Sequence, residues 1–207
     1  MRILFQGDSV TDCQRVYDDP KDLGQGYVVY TVEAIKSAFP GMDIEFLNRG
    51  ISGNRTENLL ARVDADLIDL QPDIVTILIG INDTWHKYMI DLETTVEYFR
   101  ANYETVLKRI KSETKAKIVI LEPFLLYNMG KDEMRGDLNE KIDVVRQLAM
   151  KYADAFINLD GMFVEENIKG TPNNLLSPDG VHPDEAGKKL IADALAPVVC
   201  KLIKEII

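Results

Sequence analysis

The chain is 207 residues long and 46% hydrophobic, with a formal net charge of -10 and a pI near 4.7. That length fits one compact domain spanning 1–207, because single cores commonly reach ~200 residues before chains split. The acidic balance repels polyphosphate backbones and anionic lipid headgroups, so neither a nucleic-acid nor a membrane partner is expected, and two cysteines, Cys13 and Cys200, make no disulfide framework.

Met1 and Arg2 run straight into the first apolar segment, leaving no room for a cleaved leader, and no apolar stretch approaches the ~20 residues of a membrane helix. A cytoplasmic setting is the expectation. Short β-branched runs recur at Ile3 to Phe5, Ile44 to Leu47, Ile74 to Ile79, Ile118 to Leu121 and Phe156 to Leu159, each with the look of a buried strand. Between the second and third runs, Leu59, Leu60, Val63, Leu67 and Leu70 follow a helical period; between the third and fourth, Val96, Phe99, Tyr103, Val106, Leu107 and Ile110 do the same. The cations Lys108, Arg109, Lys111, Lys115 and Lys117 fall near the end of that helix and read as a solvated terminus. A last helix is predicted from Asp184 to about Ile206, kinked at Pro197. Strand alternating with helix forces parallel pairing with right-handed crossovers, which predicts an α/β protein built as a three-layer α/β/α sandwich. The segments 20–26, 124–136 and 166–181 read as loops rimming a crevice.

Chemistry-bearing residues gather at the ends of these elements. Ser9 follows the first apolar run, and a serine hydroxyl needs a neighbouring base to become a nucleophile. Only two histidines exist; His182 stands three residues after Asp179 in a stretch marked as a turn by Pro178, Gly180 and Pro183. That spacing lets a carboxylate hold Nδ1 and leaves Nε2 for the hydroxyl. Taken alone, the same spacing reads equally as a capping histidine beside a turn aspartate. Trp85, the single tryptophan, offers a face for stacking on a sugar ring or else packs in the core. Asp8, Trp85 and His86 are the candidate substrate-binding residues, with a structural alternative for each: Asp8 could accept backbone N–H groups in its turn, and His86 could be an ordinary loop histidine. Asp83 could brace Asn82, and Met129, Met134 and Arg135 could shape a pocket or lie in solvated loop. Two separated histidines and two cysteines give no zinc-type spacing, so neither a metal nor another cofactor is expected.

Gly7-Asp8-Ser9, Asn48-Arg49-Gly50-Ile51-Ser52-Gly53, Gly80-Ile81-Asn82-Asp83 and Asp179-Gly180-Val181-His182 occur in the order of the four signature blocks of the SGNH (GDSL-type) hydrolases, which the chain thus resembles from 7 to 182. The resemblance implies a flavodoxin-like five-stranded parallel sheet in the order 2-1-3-4-5, whose crevice opens where the connections after strands 1 and 3 diverge. It implies Ser9 as nucleophile with Asp179 and His182, and an oxyanion hole made by the Ser9 and Gly53 amides and the Asn82 side chain. The fuller strings around Ser9, Gly53 and Asn82 look most like signal-less bacterial acetylxylan esterases, which implies a serine esterase releasing O-acetyl groups from xylo-oligosaccharides, a small acetylated saccharide as its partner, and a leaning toward homo-oligomers. The same blocks serve lysophospholipases and acyl-thioesterases. A flavin or nucleotide module using the same crevice is the remote alternative, disfavoured by the Asp8 and Asp12 carboxylates where phosphate would sit.

Overall fold

The structure, a computed structural model, describes residues 1–127 and 129–207; position 128, inside the loop expected over 124–136, lies outside them. Five strands, β1 (Arg2–Gly7), β2 (Glu45–Asn48), β3 (Ile74–Leu78), β4 (Lys117–Leu121) and β5 (Ala155–Ile157), pair in parallel in the order β2-β1-β3-β4-β5. The expected order is the observed one. Alternate side chains of the runs enter opposite faces, which is why the buried positions on both faces of the inner strands are mostly apolar. Ile3, Phe5, Ile74, Leu78, Val119 and Leu121 pack with α2 (Tyr27–Ala38), α7 (Leu159–Ile168) and α9 (Glu185–Ile206). Leu4, Leu47, Val75, Ile77, Ile118 and Ile120 pack with α3 (Thr56–Ala61), α5 (Val96–Glu113) and α6 (Arg135–Tyr152). The result is three layers, helix, sheet and helix.

Two local readings change. The periodic stretch from Leu59 to Leu70 is not one helix: α3 stops at Ala61 and a π-helical turn follows over Asp64–Ile68, closed by the Asp69 N–H to Asp64 carbonyl bond at 2.9 Å. The wider turn keeps Val63, Leu67 and Ile68 all buried. The expected loops also carry structure, since a 3-10 turn spans Asp132–Met134, α6 begins at Arg135, and α8 (Asn173–Leu176) lies within 166–181.

Two short elements position the chemistry. α1 (Ser9–Asp12) leaves the end of β1, and α4 (Ile81–Ile90) leaves β3 after Gly80, whose φ of +130° turns the chain. Both lie at the carboxyl ends of adjacent strands. Of the clustered cations, Lys108 pairs with Glu104, Arg109 with Asp64 and Glu113, and Lys111 and Lys117 with Asp154. Among the described residues no helix is long and apolar enough to cross a membrane.

Candidate active site

Gly7 ends β1 where only glycine fits, because a Cβ there would lie 2.3 Å from both the Leu78 carbonyl and Thr11 Oγ1. Asp8 then caps α1, its Oδ1 accepting the Val10 N–H at 3.1 Å, and Ser9 is presented half-buried as the first helical residue. From the far end of the chain, a turn brings Asp179 and His182 over it. Gly180 adopts φ +85°. Asp179 Oδ1 accepts the N–H groups of Val181 and His182 at 2.9 and 2.7 Å, which leaves Oδ2 to meet His182 Nδ1 at 2.7 Å. His182 Nε2 lies 2.8 Å from Ser9 Oγ. The three side chains form a continuous line across 173 positions of sequence.

The electrostatics suit this line. Burial acts to raise the Asp179 carboxyl, but bonds from the His182 ring and from the His182 and Val181 amides hold it far below the usual carboxylate range. The Asp179 bond in turn raises the His182 imidazole above its ordinary 6.5, against the opposing effect of burial. With Asp179 ionised, the Nδ1 proton faces the carboxylate and Nε2 is free to accept.

Gly53 sits exposed at φ +78° at the mouth of the cleft, and Asn82, 5% exposed on the first turn of α4, donates Nδ2 to the Asn54 carbonyl at 3.1 Å. Ser9, Gly53, Asn82, Trp85, His86 and His182 share one cleft of about 450 Å³, walled further out by Met89 and Ile90. Trp85 lies against the His182 ring, with centroids 5.5 Å apart at 48°. His86 is on α4 and not in a loop; its buried Nδ1 has no partner among the described residues, and burial with nearby Arg55 lowers its pKa.

Several expectations are corrected. Asp8 cannot touch substrate, being 1% exposed beneath Ser9; its structural role as a cap is the one realised. Asp83 does not brace Asn82 but accepts the Thr56 N–H and hydroxyl at 3.0 and 2.7 Å, tying α4 to the start of α3. Met134 is buried beneath Trp85 with Ile81, Leu125 and Val181. Arg135 pairs with Asp160 at 2.8 Å and covers Tyr127, and Met129 packs under Gly180, so none of the three lines the cleft. Two contributors carried no sequence signal. Buried Ser177 donates to the His182 carbonyl at 2.8 Å, and Lys131 Nζ donates to the Asp179 carbonyl at 2.6 Å while lying 5.1 Å from the Trp85 ring centroid. Among the described residues no group of three or more His, Cys, Asp or Glu side chains could hold a metal.

Burial pushes the Asp8 carboxyl up to about 7, with the Val10 amide working against it. A carboxyl raised in the folded state imposes no penalty below its unfolded value of 3.8; the penalty grows as pH climbs toward 7 and is then constant. Asp8→Asn keeps the cap and removes the penalty, so it is expected to stabilise the protein by about 2–4 kcal/mol at pH 8 and little at pH 4. Melting temperatures at both pH values check this, and an equal effect at the two would refute it.

Comparison with known proteins places these features in context. The profile of the GDSL-like lipase/acylhydrolase family matches residues 5–190. An acetylxylan esterase of Geobacillus stearothermophilus is 34% identical over 200 residues, spanning 93% of this chain and 91% of that protein. An arylesterase of Vibrio mimicus is 28% identical over 163 residues, 78% of this chain and 72% of the relative. The solved structure of the Geobacillus esterase superimposes with a TM-score of 0.86 at 32% identity, covering 95% of this chain and 92% of that one.

Proposed function

The chain belongs to the GDSL-like lipase/acylhydrolase family, and from that premise we propose that it is a serine esterase that removes O-acetyl groups from xylo-oligosaccharides through a covalent acyl-enzyme. The observation that carries the mechanism is the unbroken line from Asp179 through His182 to Ser9, with bonds of 2.7 and 2.8 Å. In line with it, solved variants of the Geobacillus esterase described as catalytic mutants replace a serine, an aspartate and a histidine with alanine.

Ser9 Oγ attacks the ester carbonyl as His182 Nε2 takes its proton, and the developing oxyanion is met by the Ser9 and Gly53 amides and the Asn82 carboxamide. His182, now charged and held by Asp179, returns the proton to the leaving alcohol oxygen. Water then repeats the sequence on the acyl-enzyme and releases acetate. Because the leaving oxygen must lie within reach of His182, the saccharide lies on the imidazole side of the cleft. That is where Trp85 packs, its ring 5.5 Å from the imidazole, and an indole face there suits a sugar ring. His86 stands on the same wall of the cleft. The free thiols Cys13 and Cys200 accord with a cytoplasmic setting in which short acetylated saccharides are the substrate.

The test is acetate release from acetylated xylo-oligosaccharides together with a chain-length series of nitrophenyl esters. Acetyl release from the saccharides and a preference for nitrophenyl acetate over the decanoate are expected. The exposed Met89 and Ile90 supply an apolar wall that a long acyl chain could use, so preference for decanoate would move the assignment to lipid or thioester substrates. Trp85→Ala is expected to weaken kcat/KM for the saccharide about tenfold more than for nitrophenyl acetate, in keeping with ~1.4 kcal/mol for an aromatic contact. Equal losses on the two substrates would remove Trp85 from sugar recognition.

A further inference from the structure

Gly53 has no packing of its own to hold it. It is exposed at φ +78°, and a Cβ placed there would meet nothing within 4 Å. The direction of its N–H is therefore set by its neighbours in the chain. On one side, the Asn54 carbonyl accepts from Asn82 at 3.1 Å and Asn54 Oδ1 accepts from Arg62 Nε at 2.8 Å. On the other side stands Ser52, whose N–H and hydroxyl both donate to Asp12 Oδ2, at 2.9 and 2.5 Å. Asp12 is 3% exposed and is the last residue of α1, the same short helix that opens with Ser9. Its Oδ2 also accepts the Tyr17 hydroxyl at 2.6 Å, and its Oδ1 accepts the Arg15 N–H at 3.2 Å. The two segments are pressed together around it. A Cβ at Gly50 would lie 2.3 Å from the Asp12 nitrogen, and Asn48 Nδ2 donates to the Thr11 carbonyl at 2.7 Å.

We infer that Asp12 is a positioning residue for the reaction, an ionised clamp that fixes the Gly53 amide relative to Ser9. The inference rests on the reading of Gly53 as an oxyanion donor. Burial works to raise the Asp12 carboxyl, but the donors from Ser52, Tyr17 and Arg15 outweigh it and keep the group ionised. A carboxylate oxygen can accept three donors at once, whereas a carboxamide in its place presents N–H groups to some of them.

The test uses the full chain carrying Asp12→Ala, Asp12→Asn or Tyr17→Phe, with kcat and KM for nitrophenyl acetate, melting temperature, and the Kd of a boronic acid that forms a tetrahedral adduct on the serine. Asp12→Ala is expected to lower kcat about 10²-fold with KM changed less than about threefold, as for loss of one oxyanion donor. Boronate affinity should weaken by about the factor lost in kcat/KM. Asp12→Asn should lose roughly tenfold and Tyr17→Phe about twofold, the latter with its melting temperature unchanged. Should Asp12→Ala fail to fold, the other two variants carry the test. A kcat within threefold of wild type in Asp12→Asn, or an unchanged boronate Kd while kcat falls, overturns the inference. An error in the whole oxyanion reading looks different, since Asn82→Ala would then also leave boronate affinity intact; if Asn82→Ala weakens the boronate and the Asp12 variants do not, the hole stands and the role of Asp12 through Gly53 is overturned.

Discussion

Ser9→Ala is expected to remove on the order of 10⁶ of turnover while leaving the fold intact. Both halves follow from how the residue is held. The Ser9 hydroxyl makes one side-chain contact, to His182 Nε2 at 2.8 Å, and the cap of α1 is supplied by Asp8, so alanine at position 9 breaks no structural bond and suits a helix. Stability should stay within about 0.5 kcal/mol of wild type. The other hydroxyl lining the cleft, that of Ser52, donates to Asp12 Oδ2 at 2.5 Å, and Cys13 lies outside the lining residues, so neither is expected to replace Ser9. Nitrophenyl acetate turnover and the mass of the protein after fluorophosphonate treatment check the result: wild type gains one adduct on the peptide bearing Ser9, and the variant gains none. Activity above about 1% in Ser9→Ala would end the acyl-enzyme reading.

The sheet was legible in the sequence because its inner strands β1, β3 and β4 are buried and appear as apolar runs, and because strand alternating with helix leaves few topologies. The meeting of Ser9, Asp179 and His182 was expected for a different reason: the four blocks in their order imply it, whereas the Asp179 to His182 spacing alone also suits a capping histidine. What escaped was fixed by long-range geometry. Lys131 reaches the Asp179 carbonyl across 48 positions, and Asp12 reaches Ser52 across 40; nothing in their local sequence distinguishes them from solvated charges. Of the two roles open to Asp8 in the sequence, the structural one is observed, because a residue that caps a helix turns its carboxylate back toward the backbone. The break between α3 and the π-helical turn was hidden because both carry the same apolar spacing.

Asp179→Asn should cost roughly 10⁴-fold in kcat and move the acid limb of the pH profile downward. The reaction needs neutral His182, and the Asp179 bond raises the imidazole above 6.5, so wild-type kcat/KM should climb with pH through neutrality and level off once the ring has lost its proton. An asparagine at position 179 can still accept the Val181 and His182 N–H groups with its single oxygen, which preserves the turn. Its nitrogen must then face His182 Nδ1 and donate to it. The imidazole proton is driven to Nε2, where it points at Ser9 Oγ, and the ring can no longer take the serine proton. The ring also loses the largest influence raising its pKa, leaving Asp8 to raise it, and burial and Lys131 to lower it, so its protonation moves to lower pH. A role for Asp179 confined to holding the turn gives the opposite pattern, a lower melting temperature with the acid limb unmoved. Measuring kcat/KM for nitrophenyl acetate from pH 5 to 9 in both proteins separates the two. A loss smaller than about 100-fold, or a limb that stays in place, would show that the carboxylate does not set the tautomer of His182.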